Sequence, residues 1–216
     1  MKYIFIVPLI FLSLLGKGQH AIGFSLGGNF SNVNYKNSNG VSDKSLKGLP
    51  GIISTINYRY NIGYKVRRKS VHQLGIDAGY KSSKFEDKES SLFTTWNMQF
   101  ISTAIAYRYY PYYRKKTGFF FGGGIVYDFL ISGTQTQGFS QFDISKDLAQ
   151  SNLSVNLETG IKYNISYDAS TTLTIGYLRG LTNIEKDLSQ QAFIHSFKIA
   201  ASVFFRINTK KQISPY

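Results

Sequence analysis

The feature that most constrains the fold of this chain is an alternation of apolar and polar residues with a period of two. In residues 153–163, for example, apolar Leu153 and Val155 alternate with polar Ser154 and Asn156. Successive side chains of a β-strand point to opposite faces, so this pattern predicts a strand with one apolar and one polar face. The pattern occurs in eight segments, which are residues 22–31, 52–62, 73–81, 94–109, 118–132, 153–163, 172–177 and 193–207.

The fourth segment, residues 94–109, changes the phase of this alternation once. Its apolar residues begin at the even positions Trp96, Met98 and Phe100 and continue at odd positions from Ile101. An extra residue in one strand of an antiparallel pair shifts the phase in this way. The sequence therefore predicts that Trp96, Met98 and Phe100 face outward and that a β-bulge follows Phe100.

The length and the polar faces of these segments favour a membrane barrel over a soluble one. Membrane strands need ~9–11 residues, whereas strands of soluble proteins average ~5–6, and most of the segments match the longer class. The polar faces are rich in Gly, Ser, Asn and Thr, which suits the narrow interior of a small barrel. We predict an all-β fold, an eight-stranded antiparallel transmembrane β-barrel of the outer membrane, with a soluble β-barrel as the alternative.

The N-terminal residues have the plan of a secretory signal peptide. Lys2 supplies a positive charge, Tyr3–Leu15 forms an apolar run, and small residues follow at the positions that a signal peptidase reads. The run is shorter than the ~20 residues that a transmembrane helix needs. We expect residues 1–18 to be cleaved as a signal peptide and residues 19–216 to form the barrel domain of an outer-membrane protein.

The connections between the segments are of two kinds, which orient the barrel. Short ones fall at 63–71, 110–116 and 165–170, and mostly longer ones fall at 33–48, 86–93, 133–152 and 182–192. In outer-membrane barrels the short turns face the periplasm and the long loops face outward. The short connections carry a predicted periplasmic basic rim, suited to phospholipid phosphates or an acidic partner, formed by Lys65, Arg67, Arg68, Lys69, Arg114, Lys115 and Lys116.

Charged residues also occur within the polar faces, where they would point into the barrel. The interior of an eight-stranded barrel is just wide enough to be filled by side chains, and buried ions there need partners. We predict a packed network of ion pairs that plugs the lumen, with a narrow conduit or binding site as the alternative. The network would consist of Arg59, Asp77, Lys81, Arg108, Asp128, Glu158, Lys162, Lys198 and Arg206.

The seventh segment and its exit carry a resemblance to a known family. From Tyr177 to Ile184 the chain reads Tyr-Leu-Arg-Gly-Leu-Thr-Asn-Ile, which resembles the signature near the end of PorT-like outer-membrane β-barrel proteins. The resemblance implies an integral outer-membrane barrel without established enzymatic activity, in a family whose name-giving branch is associated with protein secretion. The matching positions are Tyr177, Gly180, Leu181, Thr182, Asn183 and Ile184.

Signals for catalysis are weak in this sequence. His195 lies near the outer start of the last segment, as a histidine does in lipid A deacylase barrels, but Ser196 would point to the opposite face and the next residue is Phe197. The chain has no cysteine, and no spacing of its histidines resembles a metal site. We expect the chain not to be an enzyme and to use no cofactor or metal.

The function predicted from these features is a structural or interaction role at the outer membrane, by surface binding or in secretion or envelope assembly. A lipid-modifying outer-membrane enzyme and a small-solute channel are the alternatives. The expected partners are outer-membrane lipids (lipopolysaccharide and phospholipid) and a periplasmic or extracellular protein. Nucleic acid is not expected, because exported barrels do not meet it.

Overall fold

The computed structural model describes residues 19–36, 39–43, 45–62, 70–87, 93–112, 116–187 and 189–207. This part of the chain forms ten β-strands, and it contains no helix that is long and apolar enough to cross a bilayer. The strands are β1 (Gln19–Lys36), β2 (Ser42–Asp43), β3 (Leu46–Ile62), β4 (Val71–Asp87), β5 (Thr94–Tyr110), β6 (Thr117–Gln137), β7 (Ser140–Asp143), β8 (Ser151–Asn164), β9 (Ala169–Gly180) and β10 (Gln191–Ile207). The predicted signal peptide, residues 1–18, lies outside the described residues.

Eight long strands close into a barrel. They are antiparallel to their neighbours in the order β1-β3-β4-β5-β6-β8-β9-β10, and β10 pairs back onto β1 from His20↔Ile207 to Lys36↔Gln191. The short strands β2 and β7 extend the pairing at the ends of β1 and β6. The predicted all-β, eight-stranded antiparallel barrel is confirmed.

The barrel has two distinct ends. The terminal end carries Gln19 and Ile207 together with the turn at 165–168, and the loop end carries β2, β7 and the segment 181–190. The strands reach further toward the loop end than the sequence predicted, since β1 continues past residue 33 and β6 past residue 133. Beyond a lipid-facing belt a strand needs no apolar outer face, so the alternation fades although the backbone ladder continues.

The barrel wall is apolar outside and polar inside. Outward side chains such as Phe24 and Leu157 are 53% and 63% exposed, whereas inward side chains such as Asn57, Ser154 and Thr174 are buried. A soluble protein would bury its apolar stripes instead, and an exposed apolar surface this large requires a lipid environment. The period-2 alternation therefore predicts correctly which residues face the lumen over most of the wall.

The prediction for the fourth segment is wrong. The β4–β5 ladder runs without a break from Val71↔Tyr110 to Asp87↔Thr94, so the even residues of β5 face inward along its whole length. The bulge lies in the neighbouring strand β6, where Ile131 is the extra residue between Leu130 and Ser132. Phe100 is only 2% exposed. Its apolar character reflects an apolar layer inside the lumen, which the assumption of a uniformly polar interior did not include.

Candidate functional site

The centre of the lumen holds a row of ions that runs across five strands. Glu158 accepts a hydrogen bond from Arg108 Nε at 2.5 Å and another from Lys198 Nζ at 2.9 Å. In the strand register Gly122 lies between Arg108 and Glu158, and Gly176 lies between Glu158 and Lys198. A Cβ atom at Gly176 would come within 2.6 Å of the Lys198 side chain. The glycines therefore leave the space that these long side chains need to meet.

Two further acids are paired nearby. Asp77 forms an ion pair with Arg59 and accepts a hydrogen bond of 2.7 Å from Asn57 Nδ2. Asp128 forms an ion pair with Lys81, and both side chains are almost fully buried. Removing charges from water costs several kcal/mol per ion, so such groups persist only with partners of opposite charge. These four charged residues and the row of Arg108, Glu158 and Lys198 make seven, and we call them the ionic layer.

The remaining two predicted network residues lie nearer the terminal end. The Lys162 amine lies 5.7 Å from the centre of the Tyr110 ring, and the Arg206 guanidinium lies 4.8 Å from that of Tyr167. A cation over an aromatic face is attracted by the ring quadrupole. The structure thus brings seven of the nine predicted charges into contact with an opposite charge, and places the other two over aromatic rings.

Hydroxyl and amide groups fill the lumen between the ions. Ser25 Oγ lies 2.5 Å from Asn57 Oδ1 and 2.7 Å from Ser202 Oγ, and Ser31 Oγ lies within 3.0 Å of the hydroxyls of Ser83 and Ser196. The free space in this region is a cavity of about 50 Å³. That volume has room for a few water molecules, since one water needs a space of ~10–15 Å³ on this measure.

Toward the loop end the lumen is closed by apolar side chains, which the sequence reasoning missed. The Lys81 amine lies 5.3 Å from the centre of the Phe100 ring, so the ionic layer contacts this cluster directly. The signal for this cluster in the sequence is the set of apolar residues at even positions of β5, Trp96, Met98 and Phe100, which the alternation predicts to face outward. We call this cluster the apolar plug; it consists of Phe85, Met98, Phe100, Leu130, Leu148, Ile184, Ala192 and Ile194.

Above the apolar plug, a cavity of about 350 Å³ lies at the loop end. Phe85, Trp96 and Gln135 reach it from three neighbouring strands, where they stand opposite one another in the ladder. Tyr35 of β1 lines another wall, and its hydroxyl donates a hydrogen bond of 2.7 Å to Gln190 Oε1. We call this space the loop-end cavity.

The motif at 177–184 shapes the loop that closes this end. Thr182 Oγ1 accepts a hydrogen bond of 2.9 Å from the Leu153 amide and lies 3.2 Å from Asn152 Oδ1. Asn183 Oδ1 accepts one of 2.7 Å from the Ala192 amide, and its Nδ2 donates one of 2.8 Å to the Gln190 carbonyl. These bonds fold the loop over the barrel mouth.

The same motif sets the position of its neighbours in the lumen. A Cβ atom at Gly180 would lie 2.4 Å from the Ile194 carbonyl oxygen, so this strand end packs closely on β10. Ile184 is buried in the apolar plug, whereas Tyr177 and Leu181 are exposed on the outside. The motif therefore places Ile184 in the plug and the following residue at the loop-end cavity.

That following residue is Glu185, a half-buried acid that lines the cavity. Burial raises the pKa of its carboxyl above the ordinary value, and the nearby charges of Asp147 and Asp187 raise this pKa further. Asp87 is the other acid in the cavity lining. Two acids next to apolar walls give the loop-end cavity a negative character.

The other predicted surface residues are mostly outside the described residues. Of the predicted basic rim, only Lys116 is described, and its amine lies 5.4 Å from the centre of the Tyr163 ring. Lys65, Arg67, Arg68, Lys69, Arg114 and Lys115 are not among the described residues.

His195 does not share a face with a serine in its own strand. It stacks on Tyr177 with ring centres 6.5 Å apart, while Ser196 is buried inside the lumen. Within the described part of the chain, no group of three or more histidines and acids is placed to hold a metal ion.

Similar proteins are found by structure and not by sequence. No family model matches the chain, and no curated protein matches it in sequence. The outer membrane protein OprG from Pseudomonas aeruginosa matches with a TM-score of 0.52 and 12% identity, over 89% of this chain and 97% of that one. Neisserial surface protein A matches with a TM-score of 0.45 and 12% identity, over 85% of this chain and 97% of that one.

The prediction that the chain is not an enzyme is wrong as an inference from its architecture. The outer membrane protease OmpT from Escherichia coli is among the similar structures, with a TM-score of 0.49 and 9% identity, over 88% of this chain and 97% of that one. The similarity assigns no catalytic residue to this chain. Together, the similar structures are outer-membrane proteins, and at these identities what they share with this chain is the fold of an outer-membrane β-barrel.

Proposed function

We propose that this chain is an integral outer-membrane protein, exported through a cleaved signal peptide at residues 1–18, that binds a ligand at its outward-facing loop end. The apolar belt that carries Phe24 and Leu157 supports insertion into lipid. In this orientation the terminal end faces the periplasm and the loop-end cavity opens to the outside. The apolar belt is surrounded by outer-membrane phospholipid and lipopolysaccharide.

The observation that carries this proposal is the filling of the lumen at two levels. The ionic layer occupies the centre, where a cavity of about 50 Å³ lies among its side chains, and the apolar plug fills the loop-end side. A water-filled channel needs a continuous path past both layers. The loop-end cavity, in contrast, has a closed floor and an open mouth, which is the geometry of a binding site.

Planar-bilayer recording tests the closed lumen against the small-solute channel. We expect the purified protein to insert without stepwise conductance, because the ionic layer and the apolar plug fill the lumen at two levels. A double variant that shortens both layers, Phe100→Ala with Lys81→Ala, serves as the control that conductance is detectable. Conductance steps in the native protein would refute the proposal.

The orientation is tested by labelling single cysteines, since the native chain has none. Ser140 lies at the loop end and Ser166 in a turn at the terminal end, and both are exposed. We expect a membrane-impermeant maleimide to label Ser140→Cys in intact cells and to label Ser166→Cys only after the outer membrane is broken. The reverse pattern would contradict the orientation.

A narrower form of the proposal is that the chain belongs to the PorT-like family and acts in secretion or envelope assembly. The resemblance of the motif at 177–184 to the family signature supports it, and in this chain Thr182 and Asn183 of the motif form the hydrogen bonds that shape the loop end. The basic rim would then face a periplasmic partner of negative charge. Cross-linking from Lys116 in cells tests this form, and a cross-linked acidic periplasmic protein is the expected result.

A further inference from the structure

The loop-end cavity has the size and the closed floor of a small-molecule site. Its volume of about 350 Å³ lies within the ~300–1,000 Å³ typical of such sites. The apolar plug forms its floor, and Val33, Leu46 and Met98 contribute apolar walls. A ligand that fits must therefore present an apolar body of modest size.

Three aromatic side chains, Tyr35, Phe85 and Trp96, line this cavity from different strands. Phe85 is fully buried in the apolar plug, and Tyr35 and Trp96 pack against the plug. The Tyr35 hydroxyl is held by its hydrogen bond to Gln190. Several aromatic rings around one space are the composition of the aromatic cages that bind ammonium groups, in which the cation lies over the ring faces.

The charges of the residues that line the cavity also favour a cation. Asp87 and Glu185 line the cavity, and none of its described lining residues is basic. Asp147 and Asp187 add negative charge beside Glu185, whereas the nearby Lys186 amine is directed to the Lys146 carbonyl. An anion would be repelled from this space, whereas a cation would place an opposite charge beside the half-buried Glu185 carboxyl.

From this combination we propose that the loop-end cavity binds a small organic cation, an ammonium group attached to an apolar body. The apolar body contacts the plug and the aromatic walls, and the ammonium group lies between the aromatic rings and Glu185. The inference rests on the proposed function, because it names the ligand class for the binding site at the outward-facing end.

The chain provides its own probe for this site. Trp96 is its single tryptophan and lines the cavity, so its fluorescence reports on the site alone. The protein in lipid nanodiscs is titrated with benzyltrimethylammonium, and in parallel with neutral benzyl alcohol and anionic benzenesulfonate. We expect a saturable change in Trp96 emission with the cation and much weaker changes with the other two.

The charge requirement is tested with a matched pair of variants. Glu185→Gln should weaken binding of benzyltrimethylammonium about tenfold, the loss expected for one close charge contact. Asp143→Asn makes the same charge change on the exposed strand β7, away from the cavity lining, and should leave the affinity unchanged. Calorimetry with Trp96→Leu provides a readout independent of fluorescence, and we expect binding to be lost.

Each outcome decides one of the two proposals. Equal binding of the three probes, no binding of the cation, or an unchanged affinity in Glu185→Gln would overturn the ligand class. None of these results bears on whether the lumen conducts, which the bilayer recording measures separately. A conducting barrel that still binds the cation would refute the closed lumen and keep the site.

Discussion

The ionic layer and the apolar plug fill the same lumen with opposite kinds of side chain. In the ionic layer, Glu158 is held by Arg108 and Lys198 through hydrogen bonds of defined direction. In the plug, Phe100 and its neighbours are held mainly by apolar packing. Buried ions must meet particular partners, so they specify strand register, whereas apolar side chains tolerate rearrangement more readily. The centre of the barrel therefore favours one arrangement of the strands, whereas the side chains at the loop end can adapt their packing.

The largest expected effect comes from breaking the ionic layer at one point. Glu158→Leu leaves Arg108 and Lys198 without their acid, and breaking a buried pair in this way costs about 3–5 kcal/mol. The melting temperature in detergent should fall accordingly, measured by circular dichroism or by the gel shift of the unfolded barrel. The control Asp143→Asn removes an exposed acid and should leave the melting temperature unchanged.

Replacing the whole row sharpens the same test. When Arg108→Met and Lys198→Met accompany Glu158→Leu, no uncompensated charge remains, and most of the lost stability should return. If the triple variant is as stable as the native chain but shows mixed gel mobility, the ions contribute more to the strand register than to the stability of the barrel. If Glu158→Leu alone melts like the native protein, the pairs do not constrain the barrel.

A smaller effect is expected from the apolar plug. Phe100→Ala removes a buried ring and should cost about 3 kcal/mol, less if neighbouring side chains move into the space. Phe129→Ala is the matched control, because Phe129 lies in β6 but points outward. Unfolding in urea compares the two. Equal losses would show that the plug contributes no more than the lipid-facing surface.

The loop over the plug should respond more weakly still. Asn183→Ala removes a side chain that bonds the Ala192 amide and the Gln190 carbonyl, with an expected cost of about 1–2 kcal/mol. Because Ile184 and Glu185 of this loop line the loop-end cavity, a displaced loop should admit more water and shift the Trp96 emission to longer wavelength. Asn34→Ala, an exposed asparagine at the same end, should not shift it. An unchanged spectrum in Asn183→Ala would disconnect the motif from the cavity.

The smallest expected effect is a pH dependence of cation binding. The raised pKa of Glu185 means that its carboxyl takes up a proton at a higher pH than an ordinary glutamate. Binding of benzyltrimethylammonium should therefore weaken as the pH falls through this pKa, and Glu185→Gln should flatten the profile. Asp87 in the lining and Asp147, Asp187, Lys146 and Lys186 around Glu185 also carry charge. A profile that stays steep in Glu185→Gln would assign the dependence to these neighbours.

The sequence predicted the strands and the charges of the lumen, because both follow from residue parity along a strand. It did not predict which charges meet. Lys81 of β4 reaches Asp128 of β6 across an intervening strand, so the partner depends on barrel curvature. Glycines in the register, such as Gly122 and Gly176, are the local signal of such a crossing.

The apolar plug escaped prediction for a different reason. Alternation shows that a face is apolar, and not whether that face meets lipid or other side chains. Met98 and Phe100 fit the pattern of a lipid-facing stripe, although the even positions of β5 face the lumen. The loop that brings Ile184 over them lies far away in the sequence. The loop-end cavity was missed with the plug, since it exists only once that loop is folded.

The pairing of β1 with β10 has a consequence for how the barrel is made. These strands lie at opposite ends of the barrel-forming chain, yet their ladder runs from His20↔Ile207 to Lys36↔Gln191. Until β10 is present, the sheet has two unsatisfied edges that will pair with any available strand. Synthesis from the N-terminus therefore supplies the closing strand last, and such distant pairing is slow to form. Until β10 has been made, the open edges of the nascent sheet must therefore be kept from pairing with other chains.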